Sequence, residues 1–249
     1  MKQKRKHIRW DWAKIIWWFI FLTMAASVVF SSIEMALAPS VPDPSRPYKR
    51  VKGGYVLMLL QCIVGVLAML MPSFLRRRLR VIIPSKMMVL FALFLYCAIY
   101  LGEVRDFYYN VPHWDTILHT FSGAMLGALG FSVINFLNKT DRVPMNLSPV
   151  FVAFFALCFA VFLGVVWEFY EFTADGLLHT NMQKFALESG ESLVGRAALM
   201  DTMKDLLVDT LGALVMAVIG YISIKYQKGW VEKFQLHREK RAKKQENRQ

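Results

Sequence analysis

Five carboxylates and one histidine in this chain stand at spacings that bring side chains together. Asp115 and His119 are four residues apart, Glu168 and Glu171 three apart, and Asp205 and Asp209 four apart. On helices, each pair shares one face. Asp175 extends the second face and Asp201 the third. Carboxylates crowded together repel, and a proton or a cation among them relieves the repulsion. Oxygen donors suit Mg, Mn or Ca, and an imidazole widens the choice of metal. Asp115, His119, Glu168, Glu171, Asp205 and Asp209 are therefore candidate metal ligands, with a divalent cation as the candidate cofactor. The same residue types support proton transfer, which makes His119, Glu168, Glu171 and Asp205 candidate catalytic groups. Such residues also serve proton or cation transport, or polar bonding between helices. Asp201 reads equally well as a helix cap, His113 as an interfacial residue, and Asp175, His179, Glu188 and Glu191 as loop charges.

The elements that must carry these residues are set by hydropathy. Of 249 residues 56% are hydrophobic, and they fall in blocks near the roughly 20 residues that cross a bilayer as a helix. Six spans are expected: Ile15–Ile33, Tyr55–Met71, Met87–Leu101, Thr116–Leu137, Pro149–Tyr170 and Leu206–Ile224. The bilayer core offers backbone groups no water, so each span must be a helix. The expected fold is all-α, a polytopic bundle of six transmembrane helices. A basic arm (1–14) precedes the membrane domain (15–225), and a basic tail (226–249) follows it. With both termini cytoplasmic, 22 of the 30 Lys and Arg residues lie inside, as the positive-inside rule requires. Arg46, Lys49, Arg50 and Lys52 dissent, because their loop would face outward. Of the 18 acidic residues, 13 fall outside or at the outer span ends. Spans four and six enter from outside and span five leaves toward it, so all three polar faces reach the same depth. A charge facing lipid is costly, so these faces should turn inward around a shared, outward-open pocket.

Other features are bland. The net charge of +12 is mostly a topology signal and an attraction to anionic lipid. The tail has no folded module and no interleaved aromatics, so no nucleic-acid partner is expected. The first apolar block reads as an uncleaved anchor rather than a signal peptide. Cys62, Cys97 and Cys158 lie inside spans and read as small buried hydrophobes. Gly123, Gly127 and Gly130 form a small-residue face that lets span four pack closely on a neighbour.

Taken in order, Asp115-x-x-x-His119, Glu168-x-x-Glu171 and Asp205-Leu-x-x-Asp209-x-x-Gly212 resemble the motifs of the VanZ-like superfamily. Trp167-Glu168-x-x-Glu171 and the six-span layout are closer still to the YjdF-like (DUF2238) bacterial inner-membrane proteins. The match covers roughly residues 100–225, the VanZ-like core. This chain departs from the superfamily at Thr116, Glu171 and Asp209, where Lys, Gln and Asn are usual, and its pocket is the more acidic for it. The resemblance implies a multi-pass protein of the bacterial cytoplasmic membrane that binds or modifies a lipid-linked cell-envelope substrate, with membrane lipids as neighbours. The competing expectations are an ion- or proton-coupled transporter and a structural, partner-binding membrane protein.

Overall fold

The computed structural model of the chain describes residues 11–40, 50–140, 146–178, 180–187 and 191–238. Among the described residues, six helical stretches of 20 to 30 residues are long and apolar enough to cross a membrane. They are α1 (Trp12–Leu37), α2 (Lys52–Leu79), α3 (Ser85–Leu95) with its continuation, α5 (Trp114–Thr140), α6 (Pro149–Leu178) and α7 (Met200–Lys225). The third span runs on from α3 as a π-helical stretch, Tyr96–Val104, and a single turn, α4 (Phe107–Asn110), leads into α5. The only ladder among the described residues pairs β1 (Val81–Ile82) with β2 (His237–Arg238), antiparallel. The chain is thus an all-α, multi-pass membrane protein. Its surface is inside-out relative to a soluble fold. Phe154, Phe162, Leu207 and Val215 are exposed while Glu168, Asp205 and Asp209 are buried.

The helices overrun the spans read from hydropathy at almost every end. Polar residues end an apolar block without ending a helix. Asp11 caps α1 by accepting from the Lys14 backbone N–H at 3.3 Å. Arg76, Arg77 and Arg78, expected in a loop, form the last turn of α2, where cations complement the exposed carbonyls. The helix stops at Arg80, which adopts a left-handed conformation with φ 55°. The π-helical stretch has a positional consequence. The Cys97 carbonyl accepts from the Trp114 indole N–H at 3.3 Å, which docks the start of α5 on the third span.

The molecule has two packing regions. In the first, Ile20, Met24, Met58, Cys62, Met69, Ala92, Leu95 and Ile99 of α1, α2 and the third span make one apolar cluster. In the second, α5, α6 and α7 meet through small residues. A Cβ added at Gly123 would strike the Asp209 carbonyl, and one added at Gly212 would strike that of Thr120. Gly127 faces Ala213 and Met216, and Gly130 faces Ala156. The small-residue face expected on span four is therefore a close-packed one. Cys62, Cys97 and Cys158 are all free thiols, although Cys158 is exposed rather than buried.

The ends differ too. α5 and α7 begin where α6 ends, and the acidic residues gather there. At the other end, the segment after α7 folds back. Ser132 donates to the Phe234 carbonyl at 2.6 Å and accepts from the Leu236 N–H at 2.7 Å. Part of the expected tail is therefore packed against α5.

Candidate functional site

His119, one turn into α5, is the centre of the site. Its Nδ1 lies 3.1 Å from Asp209 Oδ2 on α7. An ionised carboxylate only accepts, so Nδ1 donates to Asp209 and Nε2 is left facing the other side of the ring. On that side stand Asp115 Oδ1 at 3.6 Å and Asp205 Oδ2 at 4.0 Å. One ligand atom from each of Asp115, His119 and Asp205 lies within 4.8 Å of the other two. Tetrahedral ligands at about 2.0 Å from a metal are about 3.3 Å apart, so a small inward movement would complete such a set. Asp209 is itself fixed. Ser122 Oγ lies 2.7 Å from Asp209 Oδ1 and donates to it. Gly164 of α6 leaves the room that the carboxylate fills, since a Cβ there would come within 3.2 Å of Asp209 Oδ2. A histidine whose second nitrogen is held by a carboxylate is the usual arrangement behind a metal-binding imidazole.

α6 supplies the remaining wall. Glu168 and Glu171 are both buried, and Glu171 Oε1 accepts from the Trp167 indole at 2.9 Å. Neither Glu168 oxygen has a hydrogen-bond partner among the described residues, and neither does Asp205 Oδ1. These two side chains are only 4% and 1% exposed. An unpaired buried carboxylate is costly unless it is protonated or meets a cation. Of the six residues singled out in the sequence, the structure brings Asp115, His119 and Asp205 into one ligand-sized group. Asp209 sits behind the histidine ring, and Glu168 and Glu171 flank the group from α6 without joining it.

Four features lay outside the sequence reading or went against it. Asp175, read either as an extension of the second face or as a loop charge, is buried in the last turn of α6. It accepts from Thr180 Oγ1 at 2.5 Å, Met182 N–H at 2.7 Å and Gln183 N–H at 3.0 Å, and so folds the following loop over the site. That loop delivers Lys184, which was not foreseen at all. Its ammonium donates to Asp115 Oδ2 and, at 2.9 Å, to Asp201 Oδ1. Burial pulls the Lys184 pKa down, but the charges and hydrogen bonds of Asp115 and Asp201 outweigh it and hold it above the ordinary lysine range. Asp201, read either as part of the third acidic face or as a helix cap, lies in the first turn of α7 and is an ion-pair partner. Arg50, one of the dissenting basic residues, reaches Asp106 Oδ1 at 2.5 Å and Glu103 Oε2 at 3.7 Å. It serves as a local counter-charge at the site's end of the bundle. Nearby, burial pushes the Tyr108 phenol well up, helped by Glu103, Asp115, Glu171 and Asp205, and its ring fills the space that Gly102 leaves open. His113 is exposed, with φ 61°. Arg46, Lys49, His179 and Glu188 lie outside the described residues.

Spacing alone could not reveal Lys184, because its partners lie 69 residues before and 17 after it. Arg50 did leave a trace, as part of the basic loop on the wrong side of the charge distribution.

Comparison with known proteins bears on the whole chain. An uncharacterized protein of Thermotoga maritima is 32% identical over 139 residues, which are 55% of this chain and 62% of that protein. The chain therefore aligns with less than two thirds of that relative's length. No solved structure matches. The wider likeness to VanZ-like proteins rests on the motifs alone. Residues 16–226 match the model of a family described as "Predicted membrane protein (DUF2238)", and the chain belongs to that family.

Proposed function

We propose that this protein is a component of the bacterial cytoplasmic membrane, with both termini inside. In this reading Asp115, His119 and Asp205 hold a divalent cation at the outer face, and through it the protein binds or modifies a lipid-linked envelope substrate. The observation that carries the reading is the histidine itself. Asp209 fixes its Nδ1, while its Nε2 turns toward Asp115 and a buried Asp205 with one unpaired oxygen. When bound, the cation would act as a Lewis acid toward a substrate oxygen. The protein would supply orientation through Asp209, shielding through the α5–α7 packing, and further carboxylates in Glu168 and Glu171.

Two observations support the outward placement. The charge distribution assigns 22 of 30 basic residues to the inside. Arg76 to Arg78 and Lys225 end α2 and α7 at the end of the bundle away from the site. A site at the level where spans end meets a lipid headgroup more readily than a soluble metabolite. Transport is the weaker reading. Between residues 120 and 138, 149 and 167, and 210 and 224, spans four, five and six contain no Asp, Glu, His, Lys or Arg to continue a path.

The test is Mn(II) titration of the detergent-solubilised protein, followed by electron paramagnetic resonance, with Zn(II) as competitor. One bound Mn(II) per chain is expected. Asp205→Asn should weaken it at least about tenfold, with the thermal midpoint retained. Equal binding by wild type and Asp205→Asn would refute this cation site.

A further inference from the structure

The acidic group has an exposed wall, and that wall is basic. The Lys184 side chain is 45% exposed, whereas the side chains of His119 and Asp205 behind it are 9% and 2% exposed. Lys184 is thus the most exposed charge around the ligand set, beside Asp115 at 22%.

The loop is built to put that ammonium there. Asp175 binds the loop at Thr180, Met182 and Gln183. The Asn181 side chain accepts from the Ala186 N–H at 3.0 Å and donates to its carbonyl at 2.7 Å. Lys184 itself takes a left-handed backbone conformation, φ 48°, which β-carbon-bearing residues other than Asn and Asp seldom adopt. Two of the three ammonium N–H groups are engaged, one by Asp115 and one by Asp201. The third is free for a ligand among the described residues.

The Asp115 carboxylate then becomes informative. Its Oδ1 faces His119 Nε2, and its Oδ2 holds Lys184. A cation among Asp115, His119 and Asp205 and the ammonium of Lys184 would flank one carboxylate. The second observation pointing to a ligand here is the burial of Asp205 with an unpaired Oδ1. Without a cation the group is too negative for an anion. With one, the cation and the exposed Lys184 ammonium would be two positive centres on the two oxygens of Asp115, and separate oxygens of one tetrahedral oxyanion could engage them.

We propose that Lys184 is the specificity-determining residue of the site, and that the metal-loaded site takes a phosphate group, with the cation on one oxygen and Lys184 on another. This rests on the cation reading above and adds the substrate class to it. The Asp175-anchored loop positions Lys184, and Asp115 links the two positive centres.

The experiment measures inorganic phosphate binding to the full chain in detergent by equilibrium dialysis, with and without saturating Mn(II). The chains compared are wild type, Lys184→Met, Lys184→Gln and Lys184→Arg. Phosphate should bind the Mn(II)-loaded wild type, bind the metal-free protein far less, and lose about tenfold or more in Lys184→Met and Lys184→Gln. Lys184→Arg should recover most of it, which a mere strut would not predict. The Met variant should keep the size-exclusion profile and thermal midpoint of wild type in detergent, which shows that it is folded. Phosphate affinity within twofold of wild type in both neutral variants, with Mn(II) bound, would overturn the proposal. So would a Mn(II)-loaded wild type that binds no phosphate. If the wild type binds no Mn(II), the cation reading fails, and the phosphate proposal, which needs the loaded site, fails with it. A short-chain phosphatidate competing far better than phosphate itself identifies a lipid headgroup as the source. Equal competition identifies free phosphate.

Discussion

The two halves of this protein solve the same problem, packing helices inside a membrane, with opposite materials. α1, α2 and the third span meet through Met24, Met58, Met69 and Cys62, long or soft side chains that fill irregular gaps. α5 and α7 meet backbone to backbone at Gly123 and Gly212, while Gly127 and Gly164 make room for the Met216 and Asp209 side chains. The first arrangement tolerates adjustment. The second does not, and the histidine and carboxylates of the site are on the second. In lipid, helices gain nothing from leaving water, so close van der Waals contact and polar bonds must hold them. Glycines at the contact bring the α5 and α7 axes near enough for His119 and Asp209 to reach each other across the gap. The comparison teaches that the glycine face is part of the site. It fixes the distance over which the polar residues act.

The largest effect should come from Gly123→Val. Its Cβ would be driven into the Asp209 carbonyl, a backbone atom that cannot swing aside. Destabilisation beyond about 4 kcal/mol is expected, enough to prevent assembly. Size-exclusion profiles and thermal unfolding in detergent measure it. A well-folded Gly123→Val protein would show that the two helices can separate, and the contrast between the halves would be lost. Met24→Ala asks the same question of the other half. Met24 is fully buried, so the lost contacts and the cavity should cost about 2–5 kcal/mol. Cation affinity should stay within about twofold, since the cavity is remote from α5 and α7. A matching fall in Mn(II) binding would mean that the first half tunes the second.

Asp209→Asn separates orientation from ligation. An amide can donate as well as accept, so it no longer dictates which histidine nitrogen carries the proton. The expected result is a 10- to 100-fold loss of Mn(II) affinity, about 1.4–2.8 kcal/mol, with little change in unfolding temperature. Asp115→Asn should lose at least as much, because Asp115 would ligate directly. If Asp209→Asn were the more damaging of the two, Asp209 would be the ligand, and the ring would turn its other nitrogen outward.

How much of this the sequence disclosed follows from the range of the interactions. The spans were legible because hydropathy is a local sum over one helix. The pairs Asp115/His119 and Asp205/Asp209 were legible because helical periodicity is local, and their common depth followed from counting crossings. Which carboxylate stands behind the histidine and which in front depends on the rotation of α7 against α5, set by Gly123 and Gly212, and no spacing encodes it. Lys184 was invisible because its meaning is conferred by Asp175, nine residues earlier, through bonds to the intervening loop. Asp175 was misjudged because the hydropathy limit ended its helix at Tyr170, eight residues before α6 ends at Leu178.

The smallest effect tests the boundary between the halves. Arg50 links the loop before α2 to Asp106, and Asp106 stands between the third span and α4. The Asp106 side chain is 49% exposed, so solvent screens the pair and it should contribute about 1 kcal/mol or less. Asp106 has φ 58°, a conformation that Asn tolerates nearly as well, so Asp106→Asn removes the charge and spares the turn. The unfolding temperature should fall slightly, and Mn(II) affinity should not change. The informative failure is a change in Mn(II) affinity without a change in stability. Beyond burial, Glu103 and carboxylates of the acidic group both push the Tyr108 phenol up. A charge removed at Asp106 and sensed at His119 would therefore mean that the field of the first half reaches the site, and that Arg50 and its partners belong to it.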